Sequence, residues 1–235
     1  MVFIPYKNIN EENRQLWLKK TLSAIPQGAR ILDAGAGELR NKPLCNHLVY
    51  VAQDFCQYDG GALNEGLQTG NWDTSRIDLV CDITAIPEPD ASFDAILCSE
   101  VLEHVPEPAR AIDEFARLLK LGGKLILTAP FASLVHFAPY YYCTGFSRYW
   151  YEYHLPQRGF LIGELTSNGD WFDYCHQELA RLGSTARCYG HWSWPLAYML
   201  GILGSLYLRV LRGRRADDLA CFGWNCVAVK KRCIY

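Results

Sequence analysis

Three aspartates, two glutamates and a histidine stand where this 235-residue chain could use them together. Asp33-Ala34-Gly35-Ala36-Gly37 closes the apolar run Ile31-Leu32 with an acid and two closely spaced glycines. Glycine takes positive φ and carries no Cβ, so a nucleotide-type ligand can lie on such a turn between a strand and a helix. The spacing is not the dinucleotide fingerprint Gly-x-Gly-x-x-Gly, since Arg40 occupies the third glycine position. About twenty residues beyond Asp33 comes Asp54, where a second parallel strand would bring a carboxylate to a ribose diol. Asp82 ends a third apolar run, and Glu100, Glu103 and His104 follow a fourth. One such acid reads equally well as a solvated strand-end cap; acids at consecutive strand ends point to a ligand. On a helix, Glu100, Glu103 and His104 would share one face, and two carboxylates with an imidazole suit Mg²⁺, Mn²⁺ or Zn²⁺. A lone general base at His104, or helix-start capping, uses the same letters.

The elements that must position these groups alternate. Strands are expected at His47–Phe55, Ile77–Ile83, Ser92–Cys98 and Lys124–Pro130. Pro108–Lys120 reads as an amphipathic helix with Ile112, Phe115, Leu118 and Leu119 on one face, stopped by Gly122-Gly123. Arg158–Leu165 and Cys221–Lys230 supply two further strands.

Taken in order, Ile-Leu-Asp-Ala-Gly-Ala-Gly, strand-final Asp54, Cys81-Asp82-Ile83, the stretch Phe93 to His104 and Leu119 to Pro130 resemble the class I S-adenosylmethionine (SAM) methyltransferases of the type 11 group. The resemblance is close from Arg30 to Pro130 and loose over the remainder of the chain. It implies an α/β fold: a Rossmann-like, seven-stranded, mostly parallel sheet with strand 7 antiparallel between strands 5 and 6. Helices would cover both faces, with an aromatic and apolar cap in the C-terminal half. It also implies one domain over residues 1–235, with a cofactor core near 28–130 and the cap and acceptor region near 131–220. Carried over position by position, Asp33 would hold the methionine end of SAM, Gly35 and Gly37 would admit it, and Asp54 would accept from the ribose hydroxyls. Phe55 and Ile83 would meet the adenine, Asp82 its amino group, and Ser99 and Glu100 the floor near the methyl donor. Glu-x-x-Glu-His resembles the metal motif of ubiquinone-biosynthesis O-methyltransferases and small-RNA 2′-O-methyltransferases, so Glu100, Glu103 and His104 are candidate metal ligands. Two departures concern the cofactor edge: Leu39 replaces a usual glycine, and Cys56–Arg76 is Gly-, Asn- and Asp-rich where relatives often have a helix.

The sulfonium of SAM is already a good leaving group, so a base is needed only for a protonated acceptor. His104 and His136 are the candidates for that role, with Tyr140 and Arg148 facing the acceptor from the aromatic-dense run Phe131–His154. Aromatic walls with few polar tips fit a small organic, carbohydrate-linked or lipid-linked acceptor, methylated on oxygen. A 2′-O- or catechol-type, metal-assisted transfer and a catalytically silent SAM-fold interaction protein are the alternatives. A net charge of −2 gives no basic field for nucleic acid. Ten cysteines without a Cys-x-x-Cys pair, and no signal-like start, read as free thiols of a cytoplasmic protein. Trp192–Leu208 carries no charge and precedes Arg209, Arg212, Arg214 and Arg215. At ~1.5 Å per residue it falls short of a ~30 Å hydrocarbon core, leaving a membrane-surface helix, a cap helix or a subunit contact.

Overall fold

The computed structural model describes residues 9–58, 66–67, 70, 72–211 and 216–231, with Arg209 by its backbone only. The chain divides into two compact units, Arg14–Thr166 with Gly223–Tyr235, and Met1–Asn13 with Ser167–Phe222.

The first unit is organised by one sheet. Its strands are β1 (Arg30–Ala34), β2 (Val49–Asp54), β3 (Leu79–Val80), β4 (Phe93–Ser99), β5 (Leu119–Pro130), β6 (Phe160–Asn168) and β7 (Gly223–Lys230), in the order β3-β2-β1-β4-β5-β7-β6. β3, β2, β1, β4 and β5 pair in parallel, and β7 lies antiparallel to β5. Strand order reverses between β1 and β4, so the crevice beyond their carboxyl ends is the topological switch point where ligands bind in such sheets. Ile31, Leu32, Ile96, Leu97, Leu125 and Ile126 are wholly buried, as central strands covered on both faces require. Leu18 and Leu22 of α1 (Ile9–Ser23) pack with Ile31, Leu97 and Ile126. Ile112, Phe115 and Leu118 of α2 (Pro108–Leu118) are buried as their spacing predicts. α3 (Arg148–Gln157) buries Tyr151 and Leu155.

Three strands depart from the sequence reading, β6 by starting at Phe160 and running on to Asn168. The third strand shrinks to Leu79–Val80, because acids on either side of it bond to backbone: Asp78 accepts from the Ala52 amide and Asp82 from the Thr84 amide. β5 starts at Leu119 rather than Lys124, with an irregularity between Phe93 and Ala95 in its partner and Gly122 at φ 80.

The second unit holds two long helices, α4 (Trp171–Cys188) and α5 (Trp194–Leu211). The Asp170 carboxylate caps α4 by accepting from the Phe172 and Asp173 amides. Glycines let the pair approach: a Cβ on Gly201 would stand 2.4 Å from the Leu179 carbonyl oxygen, and one on Gly183 2.3 Å from the Tyr198 ring. Among the described residues no helix is long and apolar enough to cross a membrane.

Candidate active site

The turn after β1 puts Gly35 at φ 77 and Gly37 at φ 51. Both glycines are forced by close approach as well as by backbone geometry. A Cβ on Gly35 would meet Val101 at 2.4 Å, and one on Gly37 the Trp72 ring at 2.2 Å. The Gly35 amide donates to the Gln53 carbonyl at 2.9 Å, and the Gly37 amide donates to Asp54 Oδ2 at 3.0 Å. Asp54 Oδ1 accepts from the Cys56 amide at 2.8 Å. Gln53 Nε2 in turn donates to the Cys81 carbonyl at 2.7 Å, tying the end of β2 to the segment after β3.

These strand ends wall a cavity of about 410 Å³, whose lining includes Gly35, Asp54, Phe55, Asp82, Ile83, Glu100 and His104. Asp33, Gly37 and Ser99 do not line it. Asp33 lies behind the turn, where its Oδ2 accepts from the Tyr50 hydroxyl at 2.5 Å and burial pushes its pKa up to about 6 against that bond. Ser99 Oγ pairs with Thr128 Oγ1 at 2.8 Å. Asp82 Oδ1 accepts from both the amide and the hydroxyl of Thr84 at 2.7 Å.

Beyond β4 the chain does not turn α-helical. Glu100 takes φ 56 with its amide bonded to the Thr128 carbonyl, and Leu102–His104 form a single 3-10 turn. The common helical face expected for Glu100, Glu103 and His104 is therefore lost. Glu100 faces Arg14 in a 2.8 Å ion pair, while Glu103 points inward, 1% exposed. The residues brought together are Glu103, His104 and His136. Glu103 Oε1 stands 3.7 Å from His104 Nε2 and 3.9 Å from His136 Nε2, and neither carboxylate oxygen has a hydrogen-bond partner. His104 Nδ1 lies 2.6 Å from the Tyr140 carbonyl and His136 Nδ1 2.9 Å from that of Leu134. A carbonyl only accepts, so each Nδ1 carries a proton, and each Nε2 is turned toward the Glu103 carboxyl. Burial, reinforced by Glu100, holds the Glu103 pKa well above the carboxylate range. Burial, reinforced by His136, lowers that of His104 to about 4, so its imidazole is neutral at pH 7.

The segment after β5 closes over this cluster. The Tyr142 and Cys143 amides donate to the Glu103 carbonyl. Phe137 meets Tyr58 at 4.4 Å with the rings tilted by 42°, Trp72 at 4.7 Å and His104 at 4.9 Å, and Tyr140 meets Phe55 edge-on at 4.9 Å. Phe137, Tyr140 and Tyr142 line the cavity. Arg148, expected beside the acceptor, is exposed and not on that wall; it pairs with Glu152 one turn along α3, at 2.7 Å.

Residues 32–127 match the family described as methyltransferase domain, Methyltransf_11. That stretch is a type 11 methyltransferase domain. Among its relatives is the ubiquinone biosynthesis O-methyltransferase of Xylella fastidiosa, 41% identical over 104 residues, which are 43% of this chain and 42% of that protein. The demethylmenaquinone methyltransferase of Clavibacter sepedonicus is 37% identical over 120 residues, 49% of this chain and 47% of the other. The chain thus spans less than half the length of these curated relatives. Its fold resembles phosphoethanolamine N-methyltransferase 2 of Haemonchus contortus, solved with S-adenosylhomocysteine: the TM-score is 0.55 at 20% identity, covering 94% of this chain and 53% of that one.

Four residues at this site escape a motif reading. Arg14 reaches Glu100 from a helix with no signature of its own, and Gln53 is masked by the acid beside it. Tyr58 and Trp72 sit at the edges of the Gly-, Asn- and Asp-rich stretch, part of which lies outside the described residues. The two aromatics in that polar run were its only signal.

Proposed function

We propose that the chain transfers the methyl group of SAM to a hydroxyl of a small aromatic acceptor held beside a divalent metal ion. One observation carries this reading: the cavity at the switch point runs from the glycine turn to His104, whose imidazole stands beside the buried, unpartnered Glu103 carboxyl and next to His136. Within it, Asp54 retains accepting capacity on both oxygens after its two amide bonds, enough for a ribose diol. Phe55 and Ile83 offer faces to an adenine, and Asp82 an acceptor for its amino group. The Arg14–Glu100 ion pair presents one cation and one anion, matching the carboxylate and ammonium of a methionine zwitterion.

Glu103, His104 and His136 fit a metal because an orphaned buried carboxylate is costly until it meets a cation, and because both imidazoles are oriented by carbonyls in the manner of ligating histidines. Two nitrogens and one oxygen suit Mn²⁺, Fe²⁺ or Zn²⁺ better than the oxygen-seeking Mg²⁺ or Ca²⁺. Bound there, such an ion would supply Lewis-acid stabilisation of an acceptor oxyanion. The chain's own contribution is positional: Phe137, Tyr140 and Tyr142 confine an aromatic ring over the cavity and exclude water. Near-attack placement of this kind can contribute ~7 to 11 kcal/mol. The names of the curated relatives, both tied to quinones, agree with an aromatic acceptor.

Calorimetry with S-adenosylhomocysteine tests the cofactor half; Asp54→Ala should weaken binding by ~1.5 to 3 kcal/mol, the range for charged hydrogen bonds. Methyl-labelled SAM with a panel of catechols tests the acceptor half. Turnover should cease on chelation and in Glu103→Ala, His104→Ala and His136→Ala alike. Loss in His104→Ala alone, with chelators inert, would make His104 a general base acting without metal.

A further inference from the structure

We infer that the α4–α5 pair docks the protein flat on an anionic phospholipid bilayer, through the outer face of α5. Gly201 and Gly204 turn one side of α5 toward Leu179 of α4. The side left over carries Leu196, the neighbours Met199 and Leu200, Leu203, Tyr207 and Val210, recurring once per helical turn, each about half exposed or more, with Tyr207 at 64% and Val210 at 77%. A water-soluble helix keeps polar residues on its outer face; this one has none among those positions. At one end stand Trp192, 91% exposed, and Tyr189, the residue types that settle at the headgroup level.

Charge selects the occupant. From residue 179 to 216 the sequence contains no aspartate or glutamate but six arginines: Arg181, Arg187, Arg209, Arg212, Arg214 and Arg215. Arg212, Arg214 and Arg215 lie outside the described residues and enter by sequence alone. Arg181 pairs with Glu178 and Arg187 lies over the Trp194 ring, so Arg209 and the three arginines after it carry the segment's charge. A second copy apposed here would set like charge against like, whereas anionic headgroups complement both these arginines and the aromatics. Since no described helix can cross a bilayer, an apolar helix with flanking cations lies in the interface.

Flotation of the full chain with vesicles tests this independently of the enzymatic reading. Binding should be strong to phosphatidylcholine vesicles containing phosphatidylglycerol, weak to phosphatidylcholine alone, and reduced by salt, which shortens the Debye length to ~3 Å at 1 M. Leu200→Asp with Leu203→Asp should lower the partition coefficient about tenfold or more. The triple change of Arg212, Arg214 and Arg215 to Gln should lower binding to the anionic vesicles only. Leu16→Asp, an exposed apolar position on α1, should change nothing. Absence of flotation with both lipid compositions overturns the inference. So does flotation unaffected by the α5 and arginine variants, or sedimentation showing a dimer that the α5 variant dissociates, which would make the face an interface between copies.

Discussion

Asp33 and His104 are buried titratable groups whose pKa values move in opposite directions, and each leaves a signature in stability. The Asp33 pKa rises to about 6 from 3.8 through burial. Its proton is held more tightly in the folded state, so its contribution is fully favourable below about pH 4 and is lost as pH climbs through 6. Above that the folded protein carries a buried charge costing up to ~3 kcal/mol, at ~1.4 kcal/mol per tenfold. Asp33→Asn keeps an acceptor for the Tyr50 hydroxyl, so it should raise the urea midpoint at pH 7.5 and leave it nearly unchanged at pH 4. A lowered midpoint at both values would show that the carboxylate is stabilising after all. His104 runs the other way: with its pKa lowered to about 4 from 6.5, stability falls as pH drops from 6.5 to 4, again by up to ~3 kcal/mol. His104→Gln should flatten that limb in metal-free protein, which chemical denaturation across the interval will register. Glu103 belongs to the same scale. Glu103→Gln removes a buried carboxylate with no hydrogen-bond partner and should stabilise metal-free protein, yet it should abolish retention of Mn²⁺ or Zn²⁺ measured by elemental analysis after gel filtration.

Among the elements, glycines do two different jobs, and their substitutions separate them. At the β1 turn, Gly35→Ala meets both a positive φ and the Val101 side chain at 2.4 Å. Pairing it with Val101→Ala relieves the clash and leaves the backbone term of ~1 to 2 kcal/mol. A double-mutant cycle should therefore show partial rescue, and full rescue would mean that φ imposes no strain there. On α5 the issue is separation between helices. Gly201→Ala drives a methyl into the Leu179 carbonyl, which is backbone and cannot rotate aside, so the helix pair must part. Gly204→Ala meets only the flexible end of the Leu179 side chain, at 2.8 Å, and gains up to ~1 kcal/mol of helix propensity. Thermal melts should rank Gly201→Ala well below wild type and Gly204→Ala near it.

For the whole molecule, the folded state is what binds the cofactor, so ligand linkage measures the assembled site. S-adenosylhomocysteine at a hundred times its dissociation constant should add ~2.7 kcal/mol to unfolding. Asp54→Ala, weakening binding by ~1.5 to 3 kcal/mol, should cut that gain to ~0.3 to 1.3 kcal/mol at the same ligand concentration. A wild-type melt unmoved by the ligand would remove the cofactor site from the cavity lined by Gly35, Asp54 and Ile83.

The sheet was legible in the sequence because its information is local and periodic. Apolar runs ending in Asp33, Asp54 and Ser99 are strands buried on both faces, and a glycine-rich turn after the first announces itself by residue type. The order of the strands, with β7 antiparallel beside β5, came with the family resemblance and stands in the structure. Spacing alone could not decide the side-chain cluster. Glu100, Glu103 and His104 look like one helical face in one dimension, but the reversed φ at Glu100 swings that carboxylate to Arg14 and turns Glu103 inward. His136, thirty-two positions beyond His104 in sequence, then takes the third place beside Glu103, and Trp72 covers Gly37 from a stretch that carried no motif. Local propensity and pattern fix elements; which distant side chains share a cavity depends on how loops with no periodicity pack over it, and only the tertiary structure holds that information.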